Sequence, residues 1–126
     1  MQIRQGVDIV SVKRFEEIAC RHGDRFLDRI FTPGERTYCE GKRYKFEHYA
    51  ARFAAKEAMM KAMAIQAKDR FRFREIEVRR RPTGKPEIHL SPESAERFGL
   101  PSGARIELSM AHERTHAVSF VLFFYG

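Results

Sequence analysis

Residues 44–65 read YKFEHYAARFAAKEAMMKAMAI, and this stretch decides the fold. It is rich in Ala, Met, Glu and Lys, which favour helices most strongly, so it predicts one long α-helix. Alanines such as Ala51 and Ala55 let another element approach the helix closely. Apolar residues recur at helical spacing and form the stripe that this helix buries, namely Phe46, Tyr49, Ala50, Phe53, Ala54 and Ala58.

Upstream of this helix, the sequence predicts a strand followed by shorter helices. Residues 3–9 alternate between apolar and other side chains, which is the period-two pattern of a β-strand. Ser11 is placed to cap a helix that runs to about residue 21, and a helical turn follows at 26–30. Residues 32–35, Thr-Pro-Gly-Glu, form a capping box with proline in the first turn, which predicts another short helix.

Downstream of the long helix, the apolar pattern changes to a period of two, which predicts four strands. The first pair, near 72–79 and 87–90, is joined by a Pro-Thr-Gly-Lys-Pro turn. The last pair, 106–110 and 116–125, forms a hairpin whose second strand is apolar on both faces, as expected of a central strand. The whole pattern predicts a single domain over residues 1–126, of the α+β class, with an antiparallel sheet packed on the long helix.

Composition restricts the class of protein. Lys and Arg number 24 against 17 Asp and Glu, so the formal net charge is +7. This charge predicts an acidic partner, whether a nucleic acid, an anionic surface, a protein or a ligand. The apolar runs are too short for a membrane-spanning helix and no secretory leader is recognisable, so we expect a cytoplasmic protein without membrane insertion. Cys20 and Cys39 lack metal-ligand spacing, and free thiols are expected in that compartment.

Glu57 breaks the pattern of the long helix, because it lies on the apolar stripe. A carboxylate buried there is costly unless it is paired. Lys61, one turn later, is a structural partner in the favourable Glu-to-Lys order. The alternative is a catalytic or metal-binding carboxylate, and the spacing alone leaves both interpretations open.

Asp8 breaks the pattern of the first strand, since Asp is depleted in strands. It either reaches forward to cap the helix that starts near Ser11 or serves as a second carboxylate ligand. One Asp and one Glu suit Mg²⁺, which prefers oxygen ligands and is usually bound by one or two carboxylates together with water and phosphate oxygens.

Two smaller features also have a structural and a functional interpretation. Gly84 and Lys85 lie in a turn that lacks the phosphate-binding loop motif, so a hairpin explains them, although the lysine could reach a phosphate. His112 lies near a strand end, where structural histidines are the more frequent kind, yet histidine is also suited to proton transfer at neutral pH.

The arginines form two groups. The first shares one face if the helical phase continues across Gly23, and it consists of Arg14, Arg21 and Arg25. The second follows the first predicted strand pair, and it consists of Arg72, Arg74, Arg79, Arg80 and Arg81. A charge stripe is usually a solvated face. The second group is not interleaved with stacking aromatics, so it supports nucleic-acid binding only weakly.

Several blocks of the sequence, taken together, resemble one known family. The blocks are Gly6-Val7-Asp8-Ile9-Val10 with Lys13-Arg14-Phe15, Phe31-Thr32-Pro33-Gly34-Glu35, Ala51-Arg52-Phe53-Ala54-Ala55-Lys56-Glu57-Ala58, Gly84-Lys85-Pro86 and Leu108-Ser109-Met110-Ala111-His112-Glu113. In this order, and over nearly the whole chain, they resemble the small bacterial holo-acyl-carrier-protein synthases, which are the short 4′-phosphopantetheinyl transferases. The block over residues 51–58 is the most specific of them.

This resemblance implies the 4′-phosphopantetheinyl transferase fold and a reaction of fatty-acid biosynthesis. The 4′-phosphopantetheine group moves from coenzyme A to a serine of apo acyl carrier protein in a Mg²⁺-dependent step that leaves 3′,5′-ADP. Asp8 and Glu57 match the family's metal ligands and, with His112, make up the implied catalytic set. The base is either Glu57 or a water on the metal.

The resemblance also implies the binding surfaces. Arg14, Arg21 and Arg25 match the basic residues that dock the acidic carrier protein. Coenzyme A is surrounded in the family by residues that correspond here to Arg52, Lys56, Lys61, Gly84, Lys85, Pro86 and His112, with Lys42, Arg43 or Lys45 near the 3′-phosphate.

Family members form homotrimers whose active sites lie between subunits, so the resemblance implies that Asp8 comes from one chain and Glu57 from the next. Two departures concern coenzyme A: Ala111 replaces the usual Ser or Thr, and residues 64–70 lack the glycines that many members have before the next strand. The alternatives are a basic nucleic-acid-binding module built on 72–81 and an inactive homologue that only binds a carrier protein.

Overall fold

The computed structural model describes residues 1–64 and 72–126, and it confirms the α+β class. The elements in chain order are β1 (Gln2–Ser11), α1 (Val12–His22), α2 (Asp24–Ile30), α3 (Pro33–Glu40), α4 (Lys45–Ala62), β2 (Glu77–Arg80), β3 (Pro86–His89), α5 (Pro92–Arg97), β4 (Arg105–His112) and β5 (His116–Tyr125). Strands β1, β5 and β4 form one antiparallel sheet in that order, and β2 pairs with β3 in a second.

Most predicted elements are confirmed, but several boundaries differ. The long helix, predicted to run to residue 65, ends at Ala62. The apolar last strand is central, as predicted, since β5 lies between β1 and β4. The strand expected from residue 72 begins only at Glu77, because Phe73–Glu75 forms a 3₁₀ turn in which the Glu75 carboxylate accepts from the backbone N–H of Arg72 at 3.0 Å. The turn expected at 26–30 is a full helix, α2, which begins directly after Gly23.

The sheet packs directly on α4, and small residues make this possible. A β-carbon added to Gly6 of β1 would lie 1.9 Å from the carbonyl oxygen of Ala58, so only glycine allows this approach. On β5, the buried Ser119 hydroxyl donates to the carbonyl oxygen of Ala51 at 2.8 Å. The predicted close approach along the alanine face of the long helix is therefore confirmed.

A buried ion pair ties α3 to α4. The Glu35 carboxylate accepts from Lys56 Nζ at 2.8 Å, and both side chains are fully buried. Glu35 also accepts from the backbone N–H groups of Thr32 at 2.9 Å and Val78 at 2.8 Å. The Thr32 hydroxyl accepts from the Glu35 N–H in return, which confirms the predicted capping box and extends it into the core.

The outer face of the three-stranded sheet exposes large apolar side chains. Val7 of β1 lies opposite Phe120 of β5, and Ile9 lies opposite Val118. These four side chains and Ile3 are all exposed in the single chain. Within residues 1–64 and 72–126, none of the helices combines the length and the hydrophobicity that crossing a bilayer requires.

Candidate active site

Asp8 and Glu57 come together because β1 packs on α4. Gly6 contacts Ala58, so Asp8, two residues after Gly6, lies near Glu57, which precedes Ala58. Both carboxylates line one cavity of about 370 Å³. We call it the carboxylate groove, and its other lining residues include Arg14, Phe15 and Phe53. The two acids that the sequence analysis paired therefore lie in the same groove.

The two carboxylates belong to the same chain, which corrects one expectation. The sequence predicted that Asp8 of one subunit would meet Glu57 of the next. The two residues instead line the same groove of a single chain, so that division is wrong. The reason is local, since the glycine of β1 lets the strand contact its own helix.

Lys61 interacts with Asp8 and not with Glu57. Its Nζ donates to Asp8 Oδ1 at 3.1 Å and to the carbonyl oxygen of Val7 at 3.0 Å. Across the described ranges, no ion pair joins Lys61 to Glu57, so the structural partner proposed for Glu57 serves the other acid. Asp8 does not cap α1 either, because the Ser11 hydroxyl accepts from the N–H of Arg14 and is the cap.

The electrostatics of the groove favour a cation. Burial and, next, the negative charge of Asp8 raise the pKa of the Glu57 carboxyl above its usual range, while Lys61 opposes the shift. In the part of the chain that the structure describes, no group of three or more metal-ligating side chains occurs. Two carboxylates in an open groove leave positions for water and substrate oxygens, which is the donor set that Mg²⁺ commonly accepts.

Arg52 lies in a cluster of cations around one tyrosine. Its guanidinium carbon is 4.0 Å from the centre of the Tyr38 ring, Lys42 Nζ is 4.6 Å from it, and the guanidinium carbon of Arg80 is 5.2 Å from it. The His48 ring meets the same tyrosine edge-on, at 5.8 Å between centroids. We call these five residues the Tyr38 cluster; sequence reasoning missed Tyr38, His48 and Arg80 as site residues, since no local pattern links them.

The Tyr38 cluster carries unsatisfied polar groups. Arg52 is only 2% exposed, and its Nε has no hydrogen-bond partner among the described residues. His48 Nδ1 is also buried without a partner in those ranges. Burial, followed by the charges of neighbouring cations, lowers the pKa of His48 to about 4. A buried guanidinium that pairs with no carboxylate, as for Arg52 within residues 1–64 and 72–126, is costly, and a bound anion would offset that cost.

His112 joins this cluster through its neighbours. Its Nδ1 lies 2.9 Å from Glu47 Oε1, and its ring is 4.7 Å from that of His48. Glu47 is largely buried in the first turn of α4. Sequence reasoning missed Glu47, because an acidic residue in the first turn of a helix already has a sufficient explanation in the helix dipole.

Lys56 is fully buried in the core of the chain. Its ammonium donates to Glu35, to the carbonyl oxygen of Phe73 at 3.1 Å and to that of Ile76 at 2.5 Å. All three of its protons are therefore used within the chain. The expected contact of Lys56 with coenzyme A stays a prediction. Its observed interactions hold the first turn of α3 and the segment before β2 against α4.

The predicted turn between β2 and β3 is a hairpin. Gly84 has φ +91°, a conformation that favours glycine, and its carbonyl oxygen accepts from Arg80 of the Tyr38 cluster. Lys85 Nζ is engaged by Glu107 at 2.9 Å. This hairpin therefore adjoins the Tyr38 cluster, with Pro86 starting β3.

The predicted docking arginines are exposed, and Arg14 lines the carboxylate groove itself. Arg21 lies in the last turn of α1, and Arg25 lies in α2. Within the described ranges none of the three forms an ion pair with the chain, so their charges are available to a partner. The glycine-free segment at 64–70 lies outside the described residues except for Ala64.

The chain is similar to proteins of one family throughout. The model of the 4′-phosphopantetheinyl transferase superfamily matches residues 4–121. The holo-[acyl-carrier-protein] synthase of Koribacter versatilis is 40% identical over 97% of this chain and 98% of its own length, and that of Halothermothrix orenii is 42% identical over 93% of each. Among solved structures, the ACPS–CoA complex of Chronobacterium ammoniagenes superposes with a TM-score of 0.87 at 30% identity, covering 100% of this chain and 99% of that one. The Helicobacter pylori synthase in complex with coenzyme A gives a TM-score of 0.82 at 31% identity, covering 95% and 99%.

Proposed function

The chain belongs to the 4′-phosphopantetheinyl transferase superfamily, and we propose that it transfers 4′-phosphopantetheine from coenzyme A to a serine of apo acyl carrier protein. The serine oxygen attacks the phosphorus that bears the pantetheine arm while the hydroxyl proton passes to the base, Glu57 or a water in the groove. The bond from that phosphorus to the diphosphate bridge oxygen breaks, and 3′,5′-ADP leaves with that oxygen. The observation that carries the proposal is the meeting of Asp8 and Glu57 in one open groove.

We propose that Asp8 and Glu57 hold a Mg²⁺ ion in the carboxylate groove. When bound, the ion neutralises negative charge that develops on the diphosphate as the phosphorus–oxygen bond breaks. Lys61, which already contacts Asp8, adds a further positive charge at the same edge. Arg14 and Phe15 line the groove from α1, so they are placed to orient the incoming serine and its protein.

The Tyr38 cluster is the proposed site for the phosphate groups at the nucleotide end of coenzyme A. The Nε of the buried Arg52 guanidinium, which has no hydrogen-bond partner among the described residues, would gain one from a phosphate oxygen, and Lys42 and Arg80 supply additional charge. Arginine is well suited to phosphate because its planar donors bind two oxygens at once. His112, oriented by Glu47, lies beside this cluster and is proposed to contact the same phosphate groups.

The positions of these two sites support the proposed trimer. Arg52 and Glu57 are five residues apart on α4, so their side chains point about 140° apart around the helix axis. One molecule of coenzyme A therefore reaches both most easily if the Tyr38 cluster of one chain faces the carboxylate groove of its neighbour. The exposed apolar face of the sheet, which includes Val7, Ile9 and Phe120, provides a surface for that association.

The alternative of a nucleic-acid-binding module receives little support from the arginine-rich strands. Arg79 bonds Glu77 and Arg81 bonds Glu87, so two of the five arginines over 72–81 are neutralised within the chain. Arg80 lies over Tyr38, which leaves Arg72 and Arg74 as the arginines of this group without an acidic partner among the described residues. A cytoplasmic location stays a prediction.

The decisive experiment is a mass measurement. The full chain is incubated with apo acyl carrier protein, coenzyme A and Mg²⁺, and the carrier should gain the mass of one phosphopantetheine group. The same mixture with chelator is the control for the metal. No mass gain with any divalent metal would identify a homologue that binds carrier protein without modifying it.

A further inference from the structure

His48 belongs to the Tyr38 cluster, and the proposed function assigns it no contact. It lies in α4 one turn before Arg52, so the two side chains project from the same side of the helix. Each carries a buried nitrogen, Nδ1 of His48 and Nε of Arg52, that has no hydrogen-bond partner within the two described ranges. Buried polar atoms are normally satisfied, so two such nitrogens one turn apart indicate a missing group that accepts from both.

Two aromatic neighbours fix the orientation of the His48 ring. The ring meets that of Tyr38 at an interplanar angle of 72° and that of His112 at 63°. Edge-to-face packing against both neighbours restricts rotation of the imidazole, so Nδ1 is held in one position. Because the Arg52 guanidinium carbon lies 4.0 Å from the centre of the same tyrosine ring, the two nitrogens belong to one compact site.

The surroundings of His48 keep its ring neutral at pH 7. The charged and titratable groups around it are Tyr38 of α3, Lys42 after α3, Glu47 and Arg52 of α4, Arg80 of β2 and His112 of β4. Burial, followed by the charge of His112 and then of Arg52, lowers the pKa of His48 to about 4. A neutral imidazole still carries one N–H. With that proton on Nδ1, the ring donates to an anion without adding another cation to the cluster.

We propose that His48 Nδ1 and Arg52 Nε donate to oxygens of the same phosphate group of coenzyme A, which makes His48 a binding residue for the donor substrate. This inference rests on the proposed function. A phosphate suits the pair because its oxygens accept several hydrogen bonds at once and its charge is balanced by Lys42 and Arg80. A water molecule would satisfy the two nitrogens, but it would leave the positive charge of the cluster unbalanced.

The test measures the Kd of the full chain for coenzyme A by calorimetry in the presence of Mg²⁺, together with kcat. H48F keeps an aromatic ring and removes the nitrogens, so we expect Kd to rise about ten-fold or more, the effect of losing a hydrogen bond to a charged group. H48N retains an amide N–H near the position of Nδ1 and should recover most of that loss. We expect kcat to change by less than about two-fold, because the contact is equal in the ground and transition states.

A control variant and a second ligand make the test specific. H116F changes an exposed histidine at the start of β5 and should leave Kd unchanged. Dephospho-coenzyme A distinguishes the two kinds of phosphate at the nucleotide end. If His48 contacts the 3′-phosphate, H48F binds dephospho-coenzyme A as wild type does, and if it contacts the diphosphate, H48F binds both ligands more weakly. Either result supports the inference and identifies the phosphate.

Three results overturn the inference. If H48F and wild type bind coenzyme A equally, the partner of Nδ1 is water and not the substrate. If H48F and H48N raise Kd equally, the ring acts through packing alone. The third result needs no variant: in the wild-type chain with ¹⁵N-labelled histidine, an unprotonated His48 Nδ1 in the complex with coenzyme A excludes the proposed donation. If the wild-type chain binds coenzyme A but transfers no phosphopantetheine, the proposed function fails while the binding comparison still decides the role of His48.

Discussion

Gly6 of β1 lies so close to Ala58 of α4 that a β-carbon on Gly6 would come within 1.9 Å of the Ala58 carbonyl oxygen. This contact sets the distance between the strand and the helix. It also sets the positions of Asp8, two residues after Gly6, and of Glu57, the residue before Ala58. The same glycine therefore serves both the packing of the core and the assembly of the carboxylate groove.

The first prediction concerns this contact. G6A places a methyl group against helix backbone that cannot move aside cheaply, so we expect unfolding free energy to fall by about 3 kcal/mol. Thermal and urea unfolding measure the loss. G34A is the matched control, because the nearest atom to an added β-carbon there, Glu77 Oε2, is at an ordinary 3.5 Å. Equal stability of G6A and wild type would contradict the observed packing.

The second prediction separates activity from stability at Glu57. E57Q keeps the side-chain volume and removes a proposed metal ligand, so kcat/KM should fall on the order of a hundredfold or more. In chelator, the same variant should be more stable than wild type at pH 7, because it removes a partly buried charge repelled by Asp8. Activity that survives E57Q would assign Glu57 a structural role.

The pH dependence of this stability difference has a definite sign. The folded-state pKa of Glu57 lies above its ordinary value of 4.5, so the folded chain holds the proton more tightly than the unfolded chain does. Below about pH 4.5, Glu57 therefore does not lower the free energy of unfolding. Its ionisation lowers that free energy as the pH rises through the raised pKa. The advantage of E57Q over wild type should be small at pH 4 and full at pH 7. The opposite trend would show that Glu57 is stabilised as an anion.

The third prediction concerns the buried pair. K56M leaves the Glu35 carboxylate in the core without its cation, and we expect a loss of about 3–5 kcal/mol, as for other broken buried pairs. K61M removes the exposed partner of Asp8 and should cost less than about 1 kcal/mol. Urea unfolding of both variants in chelator measures the difference. A small effect of K56M would mean that the Lys56 charge is not needed in the core.

The fourth prediction tests Glu47 as a positioning residue for His112. E47A removes the acceptor of the His112 Nδ1 proton, and we expect kcat/KM to fall about ten-fold, the low end for groups that orient a functional side chain. E47Q retains an acceptor oxygen and should recover much of this loss. If E47A and E47Q lowered kcat/KM equally and lost stability equally, the role of Glu47 would be to stabilise the fold through its charge and not to orient His112.

The sequence predicted the fold well where local patterns act alone. The capping box at Thr32 and Glu35, the long helix and the central last strand follow from residue types and spacing, and the structure confirms them. The start of β2 was predicted too early, because a side-chain cap at Glu75 overrides the alternating pattern there.

The site was harder to predict, because its residues meet only through tertiary packing. Lys56 follows a run of alanines, and its neighbours in sequence give no sign that Glu35, 21 residues earlier, is its partner. The Tyr38 cluster likewise combines α3, α4 and the end of β2. Asp8 and Glu57 were identifiable because each breaks the pattern of its own element, whereas Tyr38 and His48 break none.

The last prediction tests whether active sites are shared between chains. R80A weakens the Tyr38 cluster at an exposed residue and leaves the carboxylates intact, while E57Q does the reverse. In a cyclic trimer that contains both variants, a site needs an intact cluster from one chain and intact carboxylates from the next, so one of the three sites, about a third, is functional. Co-expression of differently tagged E57Q and R80A chains, followed by tandem purification, should therefore yield mixed trimers with clear activity, although either variant alone has little. If both clusters served one site within a single chain, no mixture would exceed the sum of the two variants. That result would also remove the reason for expecting the exposed apolar sheet face to be an interface required for catalysis.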